Sequence, residues 1–321
     1  MSKYYVNILT EYKSPEISNK YIELTLKKSN EPHIDFVIVD NSEDEDNFEK
    51  LSSFYSTEHD IMEYKGRQIR SVNTEINGLT TRILYIKNTK NTGYGAGCNL
   101  AMFAACEILD PDYIIISNND MVCTDEYIDL KKADSIFSVQ SDIGLIGVSV
   151  QNLDGSCQSP CREVCFTDRW ILPELFYPFS RKFKKRTAGD IIKNAPSDKV
   201  YRVRGSFMII LPKAFQECGG FDENVFMYAE EPILSERLKK CGYSVYHLSE
   251  IHMLHNHVMD GKTLTNSEIK KLKQRFNSEL YYYKKYKGVS DAKIRIAKIL
   301  FPFYSFRYNL YMRMKQKNKS K

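Results

Sequence analysis

No run of eighteen or more apolar residues occurs in this 321-residue chain, so no segment reads as a membrane span. The opening MSKYYVNIL lacks the pattern of a secretory leader, which sets the expectation of a cytoplasmic protein. There is no CxxC pair, no HExxH and no G-x-G-x-x-G, and no Gly-Lys-Ser/Thr follows the glycine-rich stretch NTGYGAGCN. Those absences exclude the common zinc frameworks, the HExxH metalloproteases, the dinucleotide fingerprint and the P-loop. Cys157, Cys161 and Cys165 recur at intervals of four, as if along one helical face, but they are one short of a closed zinc set. All eight cysteines are read as structural thiols behaving as small hydrophobes. No internal repeat or low-complexity tract appears.

What is present is ordinary in amount and uneven in placement. Hydrophobic residues make up 42% and charged residues 27%, the balance of a soluble globular protein. The net charge of +5 hides a division. Residues 261–321 hold 17 Lys and Arg against Glu268, Glu279 and Asp291, a net of +14, which leaves −9 for the first 260. A basic, aromatic tail on an acidic body points to an anionic partner for the tail.

Strand-like apolar runs recur at Tyr5–Leu9, Phe36–Val39, Ile83–Ile86, Tyr113–Ile116, Leu145–Val150, Phe207–Leu211 and Tyr243–Leu248. Helical patterns lie between several of them, at Asn19–Lys28 and Ala96–Leu109. Alternation of this kind predicts a parallel sheet covered on both faces. Asp40, Asn88 and the cluster Asn118–Asp120 then all sit just past carboxyl ends of strands, where open α/β sheets place ligands.

Five stretches could carry chemistry. Asp40 ends DFVIVD; it is either a cap on an acidic loop or a carboxylate that accepts hydrogen bonds from a base or ribose. NTGYGAGCN (91–99) puts Gly93, Gly95 and Gly97 before a helix, a flexible turn or a close approach of backbone to an anion. SNND (117–120) offers one carboxylate with amide neighbours, enough for Mg²⁺ or Mn²⁺ if substrate phosphates supply the rest. Glu230-Glu231 precede Pro232 at an expected helix start, where carboxylates suit the dipole and where one of a pair can take a proton. HMLHNH (252–257) holds three of the six histidines, either ligands or surface and cap chemistry.

In this order the stretches VDNSED, NTGYGAGCNLA, YIIISNND, RGSFMIILPKAF and GGFDENVFMYAEE, with His255 downstream, resemble the family 2 glycosyltransferases, especially their rhamnosyltransferase-like, polysaccharide-building branch. The resemblance covers most of residues 1–257. It implies an α/β GT-A fold, a mostly parallel central sheet flanked by helices, over residues 1–260, followed by a basic helical C-terminal extension over 261–321. It further implies a metal-dependent, inverting transfer of a hexose from a UDP- or dTDP-linked donor to a hydroxyl of a lipid-linked, cell-envelope glycan. By position, Asp40, Asn91, Gly93, Gly95, Asn99, Asn118, Asn119 and Gly205 are implied in holding the nucleotide-sugar. Asp120 and His255 are implied for a divalent cation, Mg²⁺ or Mn²⁺, and Glu231, paired with Glu230, as the base. The chain departs from the family pattern at Asn119, at the Glu-Glu pair, at Ile233 and at Thr10-Glu11-Tyr12-Lys13.

A non-catalytic nucleotide-sugar binder and a sugar nucleotidyltransferase are the alternatives. The acidic body argues against nucleic acid. The tail reads either as a solvated helical face or as an element for an anionic membrane surface, which would place the protein on the inner face of the cell membrane.

Overall fold

The computed structural model describes residues 3–31, 33–175, 190–256 and 265–319. The basic stretch 180–186 and His257 lie outside the described residues. The strands, in chain order, are β1 (Tyr5–Glu11), β2 (Ile34–Asp40), β3 (Asp60–Tyr64), β4 (Arg67–Ile76), β5 (Leu79–Lys87), β6 (Tyr113–Ser117), β7 (Met121–Cys123), β8 (Ile143–Asn152), β9 (Asp198–Val200), β10 (Phe207–Ile210) and β11 (Ser244–His255). The described helices are α1 (Pro15–Lys28), α2 (Glu45–Ser52), α3 (Tyr94–Ile108), α4 (Leu130–Val139), α5 (Phe166–Trp170), α6 (Leu172–Leu175), α7 (Pro212–Cys218), α8 (Glu230–Lys240), α9 (Thr265–Lys285) and α10 (Asp291–Lys319).

Two compact units divide the chain. The larger comprises Met1–Cys161, Ile191–Phe226 and Glu230–His257; the smaller comprises Arg162–Asp190, Met227–Ala229 and Val258–Lys321. Sequence reading puts one boundary at 260, whereas the C-terminal helices share their unit with Arg162–Asp190 and Met227–Ala229.

The larger unit is built on one sheet of order β3-β4-β5-β2-β1-β6-β10-β8-β11-β7, with β9 also on β11. Its centre, β5-β2-β1-β6, is parallel. Beyond it β10 runs antiparallel to both β6 and β8, and β8 pairs parallel with β11. The sheet is therefore mixed, with parallel strands at the centre.

Continuous apolar runs form the central strands because both faces are covered. Along β2, Phe36 and Ile38 join one core with Tyr21, Ile22 and Phe48 of α1 and α2. Val37 and Val39 join the other with Ala101, Met102 and Ala105 of α3 and Leu234 and Leu238 of α8. Each expected strand matches an observed one, with Leu211 one residue past the end of β10 and Tyr243 one residue before the start of β11. The spacing of Cys157, Cys161 and Cys165 is not helical: two take part in isolated bridges and Cys165 precedes α5. None of the eight cysteines is joined in a disulfide.

The smaller unit is held by aromatic rings around a half-buried ion pair. Trp170 meets Phe276 at 4.8 Å and Tyr304 at 5.5 Å, and Phe276 stacks on Phe301 at 4.0 Å. Arg169 grips Glu279 with two bonds of 2.9 Å, and the Trp170 indole N–H donates to the same carboxylate at 2.8 Å. Burial would raise the Glu279 carboxyl, but Arg169 and Arg275 outweigh it and hold it below its ordinary value. Pro302, expected to interrupt the tail, lies inside α10.

Candidate active site

The parallel strands end together. Register pairs Glu11 with Asp40 and Asp40 with Lys87, so the carboxyl ends of β1, β2 and β5 present a row of polar groups. Asp40 is buried, and its Oδ1 accepts from the Ser42 N–H at 2.8 Å and from the Asn47 amide at 3.1 Å. Glu11 is also buried and accepts from Asn47 at 2.7 Å and from the Ser14 N–H. Burial pushes the Glu11 carboxyl up to about 7, against the Ser14 and Asn47 hydrogen bonds, and the neighbouring Asp40 adds to the rise. Asn41 donates to the Gly93 carbonyl at 3.0 Å, and Asn88 donates to Asn41 at 2.8 Å, so this row is tied to the glycine loop.

That loop packs against protein. Gly93 has φ of +88°, and a Cβ there would collide with the Phe226 carbonyl. A Cβ at Gly97 would sit 2.6 Å from Thr10 of β1. Gly95 lies against Phe221 and Glu230. Asn91 accepts from the Gly93 N–H at 3.0 Å, which shapes the turn. Asn99, expected among the ligand-binding residues, is a structural clamp. Its amide donates to the Phe221 carbonyl at 3.0 Å and to Glu223 at 2.8 Å, and it accepts from the Phe221 N–H at 2.8 Å.

Past β6 the chain turns through Asn118, Asn119 and Asp120, all half-buried. Asn119 faces α1, donating to Ser14 at 3.0 Å and Ser18 at 2.9 Å. Asp120 meets His255 because β7 pairs antiparallel with the end of β11, setting His255 opposite Met121. His255 Nε2 lies 3.1 Å from the carboxylate, and each side chain is 18% exposed. Behind the ring, Gln158 reaches Nδ1 with its Nε2 at 2.9 Å and its Oε1 at 3.2 Å. Among the described residues no three His, Cys, Asp or Glu side chains gather as a metal cluster. One carboxylate and one imidazole converging on a point fit a divalent ion that takes its remaining ligands from diphosphate oxygens and water.

The acidic pair opens α8. Tyr228 and Ala229 reach it with φ of 70° and 65°, two successive non-glycine residues in the left-handed region. Glu230 is buried and begins the helix, so Pro232 occupies the third helical position rather than the expected first. Glu231 accepts from the Gly205 N–H at 3.1 Å. Burial would raise its carboxyl, yet Arg204 and Arg202, with the Gly205 N–H, hold it below the ordinary value. Tyr94 donates to the Gly205 carbonyl at 2.8 Å. Burial, Cys98 and the two glutamates keep the Tyr94 hydroxyl protonated, well above its usual range.

Two routes tie the acids together. Gly205 holds Glu231, and the next residue, Ser206, accepts from the Asn118 N–H at 3.0 Å, two residues before Asp120. Independently, Arg204 donates to the Gln158 carbonyl at 3.3 Å, and the Gln158 side chain holds His255.

No protein-family model matches the chain. The N-acetylglucosaminyl-diphospho-decaprenol L-rhamnosyltransferase of Mycobacterium tuberculosis (strain CDC 1551 / Oshkosh) is 29% identical over 175 residues, 52% of this chain and 56% of that protein. The protein of the same name from strain ATCC 25618 / H37Rv matches equally. The match thus spans about half the length of these curated relatives. Among solved structures, GalNAc-T7 with UDP, GalNAc and Mn²⁺ superposes over 89% of this chain and 49% of its own, at a TM-score of 0.53 and 12% identity. The fold is GT-A. S. aureus TarS aligns over 92% of this chain and 42% of its own, at a TM-score of 0.46 and 14% identity. The rhamnosyltransferase-like resemblance drawn from the motifs is borne out by the curated matches.

Within this GT-A chain, Asp120, His255, Asn118, Gly205, Glu230 and Glu231 come together at one end of the sheet. Asp40, Asn91, Gly93 and Gly95 form the adjoining row, and Asn119 and Asn99 turn to neighbouring helices and loops. Sequence reading misses Arg202, Arg204, Gln158, Tyr94 and the buried state of Glu11. Arg204 opens the quoted RGSF stretch and Arg202 lies two residues before it, and their alternation in YRVRGSF is the signal that was available.

Proposed function

We propose that the chain is an inverting glycosyltransferase that moves a sugar from a UDP- or dTDP-linked donor to a hydroxyl of a lipid-linked, cell-surface glycan. The observation that carries this reading is that Asp120 and Glu231 are joined through one two-residue turn, Gly205-Ser206. Asp120, proposed for the diphosphate site, and the ionised Glu231 therefore lie at the same end of the sheet. In the proposed step Glu231 takes the acceptor hydroxyl proton as its oxygen bonds to the anomeric carbon. The bond from that carbon to phosphate breaks, and its electron pair leaves with the nucleoside diphosphate. A low carboxyl pKa keeps Glu231 ready to accept the proton at neutral pH. A Mg²⁺ or Mn²⁺ held by Asp120 and His255 would neutralise charge on the departing diphosphate. Asn118, half-buried and past the strand end, would meet phosphate or ribose.

The name of the curated relatives supports a diphosphate-linked lipid acceptor. No described helix is long and apolar enough to cross a membrane. An anionic membrane surface met by the C-terminal helices, on the cytoplasmic side, completes the proposal.

Calorimetry with UDP- and dTDP-sugars, with and without Mn²⁺, tests the donor half. Glu231→Gln is expected to bind the donor as the parent does while turnover falls roughly 10²–10⁴-fold. Asp120→Ala is expected to lose the Mn²⁺-dependent part of donor binding. Full turnover in Glu231→Gln, or donor binding indifferent to Asp120, overturns the assignment.

A further inference from the structure

Helix α10 carries apolar residues on two opposite faces. One face is used within the smaller unit. Ile294 and Ala297 are buried, Phe301 stacks on Phe276 at 4.0 Å, and Tyr304 meets Trp170 at 5.5 Å. The other face carries Ile296, Ile299, Phe303, Phe306 and Leu310, which are 43–72% exposed. Their spacing of three and four residues lines them up as one stripe, roughly 21 Å long at 1.5 Å per residue. Scattered apolar residues on a surface need no explanation, but a contiguous stripe of two isoleucines, two phenylalanines and a leucine marks an interaction face.

The charge around the stripe selects the partner. From Ala292 to the end of the chain there are nine Lys and Arg and no Asp or Glu. Lys293, Arg295 and Lys298 are exposed on the described helix, and on a helical wheel Lys293 and Lys298 fall about 110° to either side of the stripe's centre. A second copy of the chain would bring nine more positive charges against these nine. An anionic headgroup layer instead offers opposite charge at the flanks and hydrocarbon beneath the stripe.

We infer that α10 docks on an anionic lipid surface through the stripe Ile296–Ile299–Phe303–Phe306–Leu310, with the flanking lysines and arginines among the headgroups. This deepens the membrane part of the proposed function and rests on it, while standing apart from the chemistry assigned to Glu231 and Asp120. The axis of α10 lies along the surface, its ring-packed face turned away from the lipid.

The test uses the full chain and vesicles of phosphatidylcholine with and without phosphatidylglycerol. The parent is expected to co-sediment with the phosphatidylglycerol vesicles and only weakly with phosphatidylcholine alone. Ile299→Ser, Phe303→Ser and Phe306→Ser together are expected to cut that binding on the order of ten-fold or more. The corresponding triple change to leucine is expected to retain it. Circular dichroism and donor calorimetry confirm that the variants fold. If the serine variant binds as the parent does, the stripe is overturned while membrane docking stands. If the parent binds neither vesicle, both fall. If the parent is a dimer that the serine changes dissociate, with no vesicle binding, the occupant is a second copy and the lipid assignment is overturned.

Discussion

Glu11 and Glu231 are carboxylates at the same end of the sheet, held in opposite states by their neighbours. Glu231 has two arginines and a backbone N–H beside it and stays ionised. Glu11 has Asp40 beside it and little water, and its carboxyl rises to about 7. The folded state therefore binds a proton more tightly than the unfolded chain, whose carboxyl titrates near its ordinary 4.5. Stability from this group is fullest below pH 4.5 and falls as pH rises toward 7. Between pH 5 and 8 the loss is on the order of 2–3 kcal/mol. Urea unfolding of the parent and of Glu11→Gln at those two pH values should show the variant gaining by that amount at the higher one. An unchanged difference would mean that Glu11 is ionised throughout. At this scale the sequence was legible in pointing to Asp120, His255 and Glu231, which the fold brings to one end of the sheet. Gln158 was not, because its task depends on a contact with a residue 97 positions away.

Close approach of helix to strand decides the element scale. The first turn of α3 lies against β1 because Gly97 leaves room for Thr10, and Asn41 crowds the same point at 3.0 Å. Alanine is the better helix former by about 1 kcal/mol, but forcing a methyl group into a packed contact costs about 1–3 kcal/mol. Gly97→Ala is therefore predicted to lower stability by up to about 2 kcal/mol, read as a drop in the thermal midpoint. A rise would show that α3 can slide without cost. The apolar runs made the central strands readable, since each is buried on both faces. The hairpin β3–β4 escaped that reading because its strands face solvent on one side and alternate weakly. Its turns still left a trace: Lys65-Gly66 and Asn77-Gly78 all have positive φ, the backbone of tight hairpin turns. In the same way the extra antiparallel strands β7 and β9, three residues each, are too short to show a period.

Charge is the property of the whole molecule that the sequence divides most sharply, −9 over the first 260 residues and +14 over the rest. Attraction of the tail to anionic lipid is screened once the Debye length shrinks to a few ångströms, whereas a carboxylate buried beside arginines is screened far less. Raising salt from about 0.1 M to 1 M is thus predicted to release the chain from phosphatidylglycerol vesicles while donor affinity changes less than three-fold. Parallel salt dependence of the two would mean that one set of charges serves both. The Gly205-Ser206 turn has its own consequence at this scale. Because one residue grips Glu231, the proposed base, and the next grips the segment leading to Asp120, the proposed metal ligand, neither half can be retuned alone. Any substitution that tilts this peptide re-aims both carboxylates at once, so under the proposed function drift toward a new sugar should enter through the surrounding loops and leave this pivot unchanged.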